Sequence, residues 1–283
     1  MAIKTVGVVG CGLMGSGIAQ VCAQSGYQTV VSEINKELLD RGIGMINASL
    51  SKAVERGKLT EEARSTVLNR LKGTVSLEDF RECDLVIEAV LEDMNEKRRV
   101  FSTLDKICPP HTIFSSNTSC LSVLEMAVST KRPQKVLGLH FFNPVPVMKL
   151  VEIVRTIITD DDTLNTAKQF SESLGKKNII AKDQPGFIVN RLLTPYLLDA
   201  MRLLESAGAT REDIDDGMVL GCNHPMGPLA LSDFIGLDTV NFIANAMYEE
   251  FKDPKYAAPT ILRKMVAAGY LGRKKGKGFY DYK

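Results

Sequence analysis

His140 and Glu152 are the residues whose types and spacing best suit proton-transfer chemistry. His140 ends the predicted strand 135–140, and Glu152 lies on the apolar segment that follows it. Imidazole titrates near neutrality, so it can take a proton from a hydroxyl group and return it. A return of the chain would bring the Glu152 carboxylate to the imidazole, where it would set the tautomer and stabilise the imidazolium. The spacing by itself leaves two alternatives open, a structural histidine and a solvated edge glutamate.

A glycine-rich turn near the amino terminus has the pattern of a phosphate-binding loop. The strand-like run 6–9 leads into Gly10-Cys11-Gly12-Leu13-Met14-Gly15 and then into an apolar helix. The first glycine permits a tight turn, the second lets the backbone approach a pyrophosphate, and the third lets helix and strand pack closely. The N–H groups at the helix start then bind the phosphate anion. The predicted cofactor-binding residues of this loop are Gly10, Gly12, Leu13, Met14 and Gly15, the alternative being a turn that serves only the fold.

Glu33 ends the next predicted strand, roughly 20 residues beyond the loop. A carboxylate at this position accepts hydrogen bonds from the adenosine ribose hydroxyls and repels a 2′-phosphate. NAD is therefore favoured as the cofactor. Ser32 and Lys36 leave NADP as the alternative, since either side chain could help hold a phosphate.

The elements that must position these residues alternate between short β-branched runs and helical periodicity. The predicted strands are 5–9, 28–32, 84–88, 112–115, 135–140 and 179–181, and the helices between them include 13–24, 36–56 and 95–107. Strands that are buried on both faces and separated by helices indicate an α/β fold with a Rossmann-type, doubly wound, mostly parallel sheet. Residues 35–71 are longer than a normal crossover. They predict a helical hairpin, broken at Gly57, that could stand away from the sheet and meet a ligand.

The pattern changes at Gln184-Pro185-Gly186, where proline and glycine predict a domain boundary. Residues 1–183 are predicted to form the NAD-binding domain, with the excursion at 35–71. Residues 184–283 are predicted to form a smaller, all-helical domain for cleft closure and dimerisation. Its predicted helices are 187–206, 211–220, 229–251 and 259–268.

Bulk properties exclude several classes of protein. The formal net charge of +1 gives no overall electrostatic reason to expect nucleic acid or a membrane as a partner. The sequence has neither the pattern of a signal peptide nor an apolar run long enough to span a bilayer. The six cysteines form no C-x-x-C pair, so buried, reduced thiols and a cytoplasmic location are expected, and no metal site is expected.

Six motifs, spread over essentially the whole chain, resemble those of one family, and several of them are specific to it. They are Ser116-Asn117-Thr118-Ser119, His140-Phe141-Phe142-Asn143-Pro144 with Glu152, Pro185-Gly186-Phe187-Ile188-Val189-Asn190-Arg191, Pro225-Met226-Gly227-Pro228, Gly236-Leu237-Asp238 and Gly276-x-Gly278-Phe279-Tyr280. The chain thereby resembles the (S)-3-hydroxyacyl-CoA dehydrogenase family, and within it the short bacterial 3-hydroxybutyryl-CoA dehydrogenases.

The resemblance implies roles for four residues in the chemistry. It implies that His140 is the general acid/base, that Glu152 is its partner, and that Ser119 and Asn190 hydrogen-bond the reacting oxygen or the thioester carbonyl. Such donors stabilise the charge that develops on oxygen as hydride moves. Without the resemblance, Ser119 would be interpreted as the cap of a helix that begins near Leu121, and Asn190 as a bridge between domains.

The resemblance also implies further contacts with the cofactor. It places Asn143 near the nicotinamide, at a position that would otherwise be interpreted as a turn residue. It implies that Glu92 and Lys97 line the cofactor and that Ser119 contacts it. For Glu92 and Lys97 the alternative is a solvated helix start.

A cationic face on the long helix of the hairpin resembles the CoA-binding arm of the family. Lys52 and Arg56 are four residues apart and share a face, with Ser49 one turn earlier. CoA carries a 3′-phosphate and a pyrophosphate that need cationic partners. The family is lysine-rich here, whereas this chain has Glu55 and Arg56, so the exact phosphate partners stay open. The predicted substrate-binding residues are Ser49, Lys52, Arg56, Ser119 and Asn190.

The predicted activity is the reversible NAD(P)-dependent oxidoreduction of a short-chain (S)-3-hydroxyacyl-CoA by a homodimer, with acetoacetyl-CoA and (S)-3-hydroxybutyryl-CoA as the expected pair. One alternative is a hydroxy-acid or sugar-acid dehydrogenase of the same fold that does not use CoA, against which the cationic face argues. Another is a catalytically silent dinucleotide-binding protein, against which the combined catalytic motifs argue. A module of a multifunctional fatty-acid oxidation protein is not expected, because no hydratase region precedes the Gly10 loop.

Overall fold

Short runs of mostly β-branched residues form one eight-stranded sheet in the computed structural model, which describes residues 3–282. The strands are β1 (Thr5–Val9), β2 (Gln28–Ser32), β3 (Leu71–Thr74), β4 (Leu85–Glu88), β5 (Ile113–Ser116), β6 (Val136–Phe141), β7 (Leu150–Arg155) and β8 (Lys177–Lys182). Their order is β3-β2-β1-β4-β5-β6-β7-β8, and every neighbouring pair is parallel except β6 and β7. The predicted Rossmann-type, mostly parallel sheet is confirmed.

Within residues 3–183, six α-helices accompany this sheet. They are α1 (Leu13–Gln24), α2 (Lys36–Glu55), α3 (Glu61–Asn69), α4 (Met94–Ile107), α5 (Val123–Ala127) and α6 (Asp161–Ser173). Side-chain caps define several of their starts: Asn35 accepts a hydrogen bond from the N–H of Leu38, and Thr60 from that of Ala63. Between α2 and α3, Gly57 adopts a φ of +65°, which ends the first arm of the predicted hairpin.

Strands β3 and β7 are absent from the predicted elements. The β3 sequence, Leu-Lys-Gly-Thr, has little apolar character because the strand lies at the edge of the sheet, where Lys72 and Gly73 are exposed. The β7 segment was predicted only as an apolar return of the chain. It is a full strand whose central residues are buried, because it lies between β6 and β8.

The hairpin of α2 and α3 packs against the sheet domain rather than standing away from it. The buried residues of α2 recur at helical spacing, and they are Leu39, Gly42, Ile46 and Leu50. Gly42 approaches the glycine-rich loop so closely that an added Cβ would lie 2.2 Å from the Cys11 carbonyl oxygen. One face of α2 therefore belongs to the core, and only its opposite face is available to a ligand.

The described chain divides into two compact units, the first ending at Asp183 and the second beginning at Gln184. The terminal residues 1, 2 and 283 of the predicted domains lie outside the described residues. The second unit contains the helices α7 (Val189–Glu205), α8 (Arg211–Cys222), α9 (Pro228–Ile235), α10 (Leu237–Phe251) and α11 (Thr260–Ala267). Over residues 3–282, no helix has both the length and the apolar character that crossing a bilayer requires.

Two predicted helices of the second unit have different limits in the structure. The predicted helix 229–251 is two helices, because Gly236 adopts a φ of +103° between α9 and α10. The predicted helix 187–206 begins two residues later, because Phe187 has a φ of +45° and cannot be helical. Both breaks are backbone conformations that hydrophobic periodicity does not reveal.

Candidate active site

The glycine-rich loop lies between β1 and α1 and presents backbone rather than side chains. Gly10 has a φ of +94°, and an added Cβ would lie 2.6 Å from the Ala89 carbonyl oxygen. A Cβ on Gly15 would lie 1.8 Å from the Gly10 carbonyl oxygen, whereas one on Gly12 would meet no atom within 4 Å. Gly12 is the N-cap residue of α1, so it directly precedes the first N–H groups of the helix. These features fit a cofactor pyrophosphate.

The other two predicted loop residues differ in exposure. The Leu13 side chain is exposed, whereas Met14 is partly buried against the core. Cys11, between the glycines, is buried, and burial followed by the charge of Glu33 raises the pKa of its thiol to about 12. The thiol therefore stays neutral near physiological pH and serves packing rather than nucleophilic chemistry.

Glu33 follows β2 at the same edge of the sheet as the loop. Its Oε1 accepts a hydrogen bond of 2.8 Å from the N–H of Cys11, and its Oε2 accepts one of 3.0 Å from the N–H of Ile34. Of the two residues that left NADP open, Ser32 is buried and Lys36 forms an ion pair with Asp40. The Glu33 carboxylate is therefore in contact with the glycine-rich loop, which favours a free ribose hydroxyl over a phosphate.

His140 and Glu152 face each other across the antiparallel pair of β6 and β7. The distance from His140 Nδ1 to Glu152 Oε2 is 2.7 Å, and the Glu152 side chain is 0% exposed. The interpretation of Glu152 as a solvated edge residue is therefore wrong. A buried carboxylate at this distance accepts the Nδ1 proton, which makes Nε2 the basic nitrogen of the neutral imidazole.

Ser119 lies on the loop after β5 and completes a hydrogen-bonded line with the same histidine. Its Oγ is 3.1 Å from His140 Nε2. The alternative that Ser119 caps a helix is wrong, because α5 begins at Val123 and its N-cap is Ser122. The line Ser119–His140–Glu152 is thus assembled at the carboxyl ends of β5 and β6, where ligands of such sheets bind.

Glu92 and Lys97 belong to a buried charge cluster rather than to a solvated helix start. Lys97 is 1% exposed, and its Nζ lies 2.7 Å from Glu88 Oε1 and 3.0 Å from Glu92 Oε2. Burial opposes the charge on Lys97, but the two carboxylates raise its pKa above the usual value. Oε1 of Glu92 accepts a hydrogen bond of 3.0 Å from the N–H of Ser119.

Two residues at the edge of the sheet where β4, β5 and β6 end were missed by sequence reasoning. Glu88 is a fully buried carboxylate at the end of β4, and the available signal was an acidic residue that ends an otherwise apolar strand. The buried Lys176 donates hydrogen bonds of 2.7 Å to the carbonyl oxygens of Val145 and Met148. It thereby holds the exposed loop that carries Asn143. No local pattern indicates such a partner for a lysine.

The predicted CoA residues lie toward the carboxyl end of α2. Lys52 and Arg56 are exposed and Ser49 is partly buried; among residues 3–282 neither cation has an ion-pair partner. Lys52 is ten residues beyond Gly42, which contacts the glycine-rich loop, so it lies about 15 Å farther along the helix axis. This spacing suits an extended ligand with a phosphate group distant from the reacting end.

Asn190 is the second residue of α7 and belongs to the second unit. Its neighbour Arg191 stacks over the Phe251 ring at 4.0 Å and donates a hydrogen bond of 2.8 Å to Gln184 Oε1. Within its own unit, the start of α7 is therefore held by a cation–π contact and a hydrogen bond.

The chain matches the family descriptions of known proteins over nearly its whole length. Residues 5–184 match the NAD-binding domain of 3-hydroxyacyl-CoA dehydrogenase, and residues 186–282 match its C-terminal domain. A 3-hydroxybutyryl-CoA dehydrogenase of Mycobacterium tuberculosis is 49% identical, with 99% of each chain covered. The mitochondrial hydroxyacyl-coenzyme A dehydrogenase of Sus scrofa is 43% identical, with 99% of this chain and 92% of the relative covered.

A solved structure is similarly close. The (S)-3-hydroxybutyryl-CoA dehydrogenase of Ralstonia eutropha superposes with a TM-score of 0.96 at 45% identity, with all of both chains covered. Both halves of the chain, and relatives across its full length, agree with the resemblance seen in the motifs. This chain belongs to the 3-hydroxyacyl-CoA dehydrogenase family.

Proposed function

We propose that the protein catalyses the reversible NAD-dependent oxidoreduction of short-chain (S)-3-hydroxyacyl-CoA, with acetoacetyl-CoA and (S)-3-hydroxybutyryl-CoA as its substrate pair. The observation that carries this proposal is the hydrogen-bonded line Ser119–His140–Glu152 at the edge of a dinucleotide-binding sheet. Relatives named 3-hydroxybutyryl-CoA dehydrogenase, at 44% to 49% identity, support the choice of substrate.

In the oxidative direction, His140 Nε2 takes the proton of the 3-hydroxyl group. Glu152 holds Nδ1 and stabilises the positive charge that the imidazole acquires. A bound nicotinamide would supply the hydride acceptor for the carbon that carries this hydroxyl group. The Ser119 hydroxyl, 3.1 Å from Nε2, hydrogen-bonds the reacting oxygen. Asn190 is proposed to hydrogen-bond the reacting oxygen or the thioester carbonyl. This role rests on the family motif in which Asn190 lies. In the reductive direction the imidazolium returns the proton.

The experiment that tests this function is a steady-state assay of acetoacetyl-CoA beside free acetoacetate, each with NADH and with NADPH. We expect turnover of the thioester with NADH and little turnover of the free acid. Preferred reduction of the free acid would instead support the hydroxy-acid dehydrogenase alternative. Binding of NADH without turnover of any substrate would support the catalytically silent alternative.

Replacement of Glu33 by alanine is expected to weaken the preference for NADH. The wild-type carboxylate beside the Cys11 N–H repels a 2′-phosphate, so its loss should raise kcat/KM with NADPH relative to NADH about tenfold or more. Glu37→Gln, which removes an exposed carboxylate from the first turn of α2, is the matched control. An unchanged NADPH-to-NADH ratio in Glu33→Ala would contradict the assignment of NAD specificity to this residue.

Removal of both cations in Lys52→Ser/Arg56→Ser is expected to raise KM for acetoacetyl-CoA about tenfold without changing kcat, because the phosphates of CoA lose their partners. Acetoacetyl-pantetheine, which lacks the nucleotide phosphates, should show no change. The double variant Arg99→Ser/Lys106→Ser removes two charges from the exposed face of α4 and serves as the control. Equal effects on both thioesters would contradict the proposed CoA contact.

We also propose that the protein acts as a homodimer in the cytoplasm. Large apolar side chains on the second unit remain in contact with water, among them Leu192, which is 73% exposed, and Leu220, which is 82% exposed. A second copy that covered them would remove this apolar surface from water. The reducing cytoplasm suits the six free cysteines, five of which are buried. Light scattering tests the dimer, for which the expected mass is twice that of one chain.

A further inference from the structure

The carboxylate of Glu88 is fully buried at the centre of the sheet, at the carboxyl end of β4 between β1 and β5. Three donors surround it. Oε1 accepts hydrogen bonds of 2.7 Å from the N–H of Val90 and from Lys97 Nζ. Oε2 accepts one of 2.6 Å from Ser116 Oγ. A single side chain therefore joins the segment after β4 to the last residue of β5.

One connection runs from Glu88 toward Ser119 through Ser116. The Ser116 Oγ that donates to Glu88 also accepts a hydrogen bond of 3.2 Å from the N–H of Thr118. Between them, Asn117 ties the loop to the next strand, because its Oδ1 accepts a hydrogen bond of 2.9 Å from the N–H of Phe141. This connection sets the course of the backbone that leads to Ser119.

A second connection runs from Glu88 to the same residue through Lys97. The Lys97 ammonium lies 3.0 Å from Glu92 Oε2. The other oxygen of Glu92 accepts hydrogen bonds from the Thr118 hydroxyl and, at 3.0 Å, from the N–H of Ser119. The first connection therefore ends at the N–H of Thr118, and the second ends at Thr118 and Ser119. The hydroxyl of Ser119 lies 3.1 Å from His140 Nε2.

We propose that Glu88 is a positioning residue for proton transfer: its carboxylate holds the two loops after β4 and β5 so that the Ser119 hydroxyl stays within hydrogen-bonding distance of His140. This inference rests on the proposed function, because it assigns Ser119 and His140 to the reacting oxygen. A buried ion pair is poor evidence of a contribution to stability, since its desolvation offsets its attraction. The hydrogen bonds that join Glu88 to the loop of Ser119 instead give it a role in positioning the Ser119 hydroxyl.

The substitution Glu88→Gln removes one of the two connections with little change in volume. The amide oxygen can still accept from Lys97 and from the Val90 N–H. The amide nitrogen then faces Ser116 Oγ, which previously donated to an oxygen at 2.6 Å. Ser116 Oγ must now accept from this nitrogen while it already accepts from the Thr118 N–H. The hydroxyl proton loses its acceptor, so the loop must shift to satisfy it.

The test is a kinetic double-mutant cycle of Glu88→Gln and Ser119→Ala, run with the carbonyl substrate that the wild-type protein reduces fastest. Glu88→Gln alone is expected to lower kcat about 10- to 100-fold, with KM and NADH affinity within about twofold of wild type, because small displacements of reacting groups have effects of this size. In the Ser119→Ala background the same substitution is expected to change kcat less than about twofold, because Glu88 acts through Ser119.

Asp84→Asn is the matched control, because Asp84 directly precedes the same strand at the opposite edge of the sheet. It accepts hydrogen bonds of 2.7 and 3.0 Å from the N–H groups of Lys4 and Thr5. We expect its kcat to match wild type. Should Glu88→Gln fail to fold, Ser116→Ala replaces it in the cycle, since it removes the first connection and leaves the ion pair intact. Its expected loss in kcat is about three- to tenfold, again absent in the Ser119→Ala background.

Two results would overturn the inference. One is a kcat of Glu88→Gln within twofold of wild type. The other is a double variant whose loss in kcat equals the product of the losses in Glu88→Gln and Ser119→Ala, as expected if Glu88 were purely structural. Wild-type turnover of acetoacetyl-CoA is measured separately in the same experiment. Its absence would count against the proposed substrate, whereas the cycle on the preferred substrate reports only on Glu88.

Discussion

Replacement of His140 by alanine is expected to lower kcat about 10²- to 10⁴-fold, the usual contribution of a positioned general acid/base. The affinity for NADH should stay within about twofold, because the cofactor contacts proposed for the glycine-rich loop and Glu33 do not involve the imidazole. Steady-state rates with acetoacetyl-CoA, combined with titration of NADH fluorescence, measure the two quantities on the same preparation.

His111→Ala is the control for this experiment. His111 is a largely exposed histidine whose Nε2 lies 3.2 Å from Asp84 Oδ1, at the amino edge of the sheet. Its loss should leave kcat unchanged. Unchanged turnover in His140→Ala would reject the proposed acid/base. A joint loss of turnover and NADH binding in that variant would point to a folding defect instead.

Replacement of Glu152 by glutamine is expected to lower kcat for oxidation of (S)-3-hydroxybutyryl-CoA about 100-fold or more. If the amide nitrogen faces Nδ1, the proton moves to Nε2, which can then no longer accept the hydroxyl proton. If the amide oxygen faces Nδ1, the tautomer is kept, but the imidazolium loses a carboxylate at 2.7 Å. Either arrangement slows proton transfer while the fold keeps a side chain of the same size.

The double variant with His140→Ala distinguishes this role from a structural one. Because Glu152 acts through the imidazole, Glu152→Gln should cost nothing further once His140 is gone. Thermal unfolding of each variant provides the accompanying check of stability. A further large loss of turnover in the double variant would show that the buried carboxylate supports the site by another route.

The glycine-rich loop is a feature that the local sequence is sufficient to predict. The predicted tight turn is present in the structure, where Gly10 has a φ of +94°. The predicted close packing is present at Gly15, where an added Cβ would lie 1.8 Å from the Gly10 carbonyl oxygen. Both constraints act between residues that are near each other in the chain or on adjacent elements of one unit. The steric limits of a strand–turn–helix connection are the same in every protein that contains one, so the pattern suffices to predict it.

The burial of Lys97, in contrast, could not be predicted from the local sequence. A lysine in the first turn of a helix is ordinarily solvated, and nothing in its neighbourhood in the sequence predicts 1% exposure. Its burial depends on Glu88, nine residues earlier, and that carboxylate depends in turn on Ser116, 28 residues away. A buried charge needs a charged or hydrogen-bonding partner, but the sequence around it does not identify the residue that will be that partner.

For His140 and Glu152, the proposed catalytic pair, the sequence likewise predicted only part of the arrangement. The sequence by itself determined the parallel sheet, the dinucleotide loop, the family, and His140 at the end of a strand, because periodicity, turn sterics and motifs are local properties. Only the tertiary structure decided that Glu152 is buried opposite His140, since the antiparallel register of β6 and β7 is set by pairing across the sheet. It also decided that Ser119 contacts the imidazole rather than capping a helix. The hydrogen bonds of Glu88 and Glu92 to the loop after β5 join residues that are far apart in the sequence, next to Nε2 of His140.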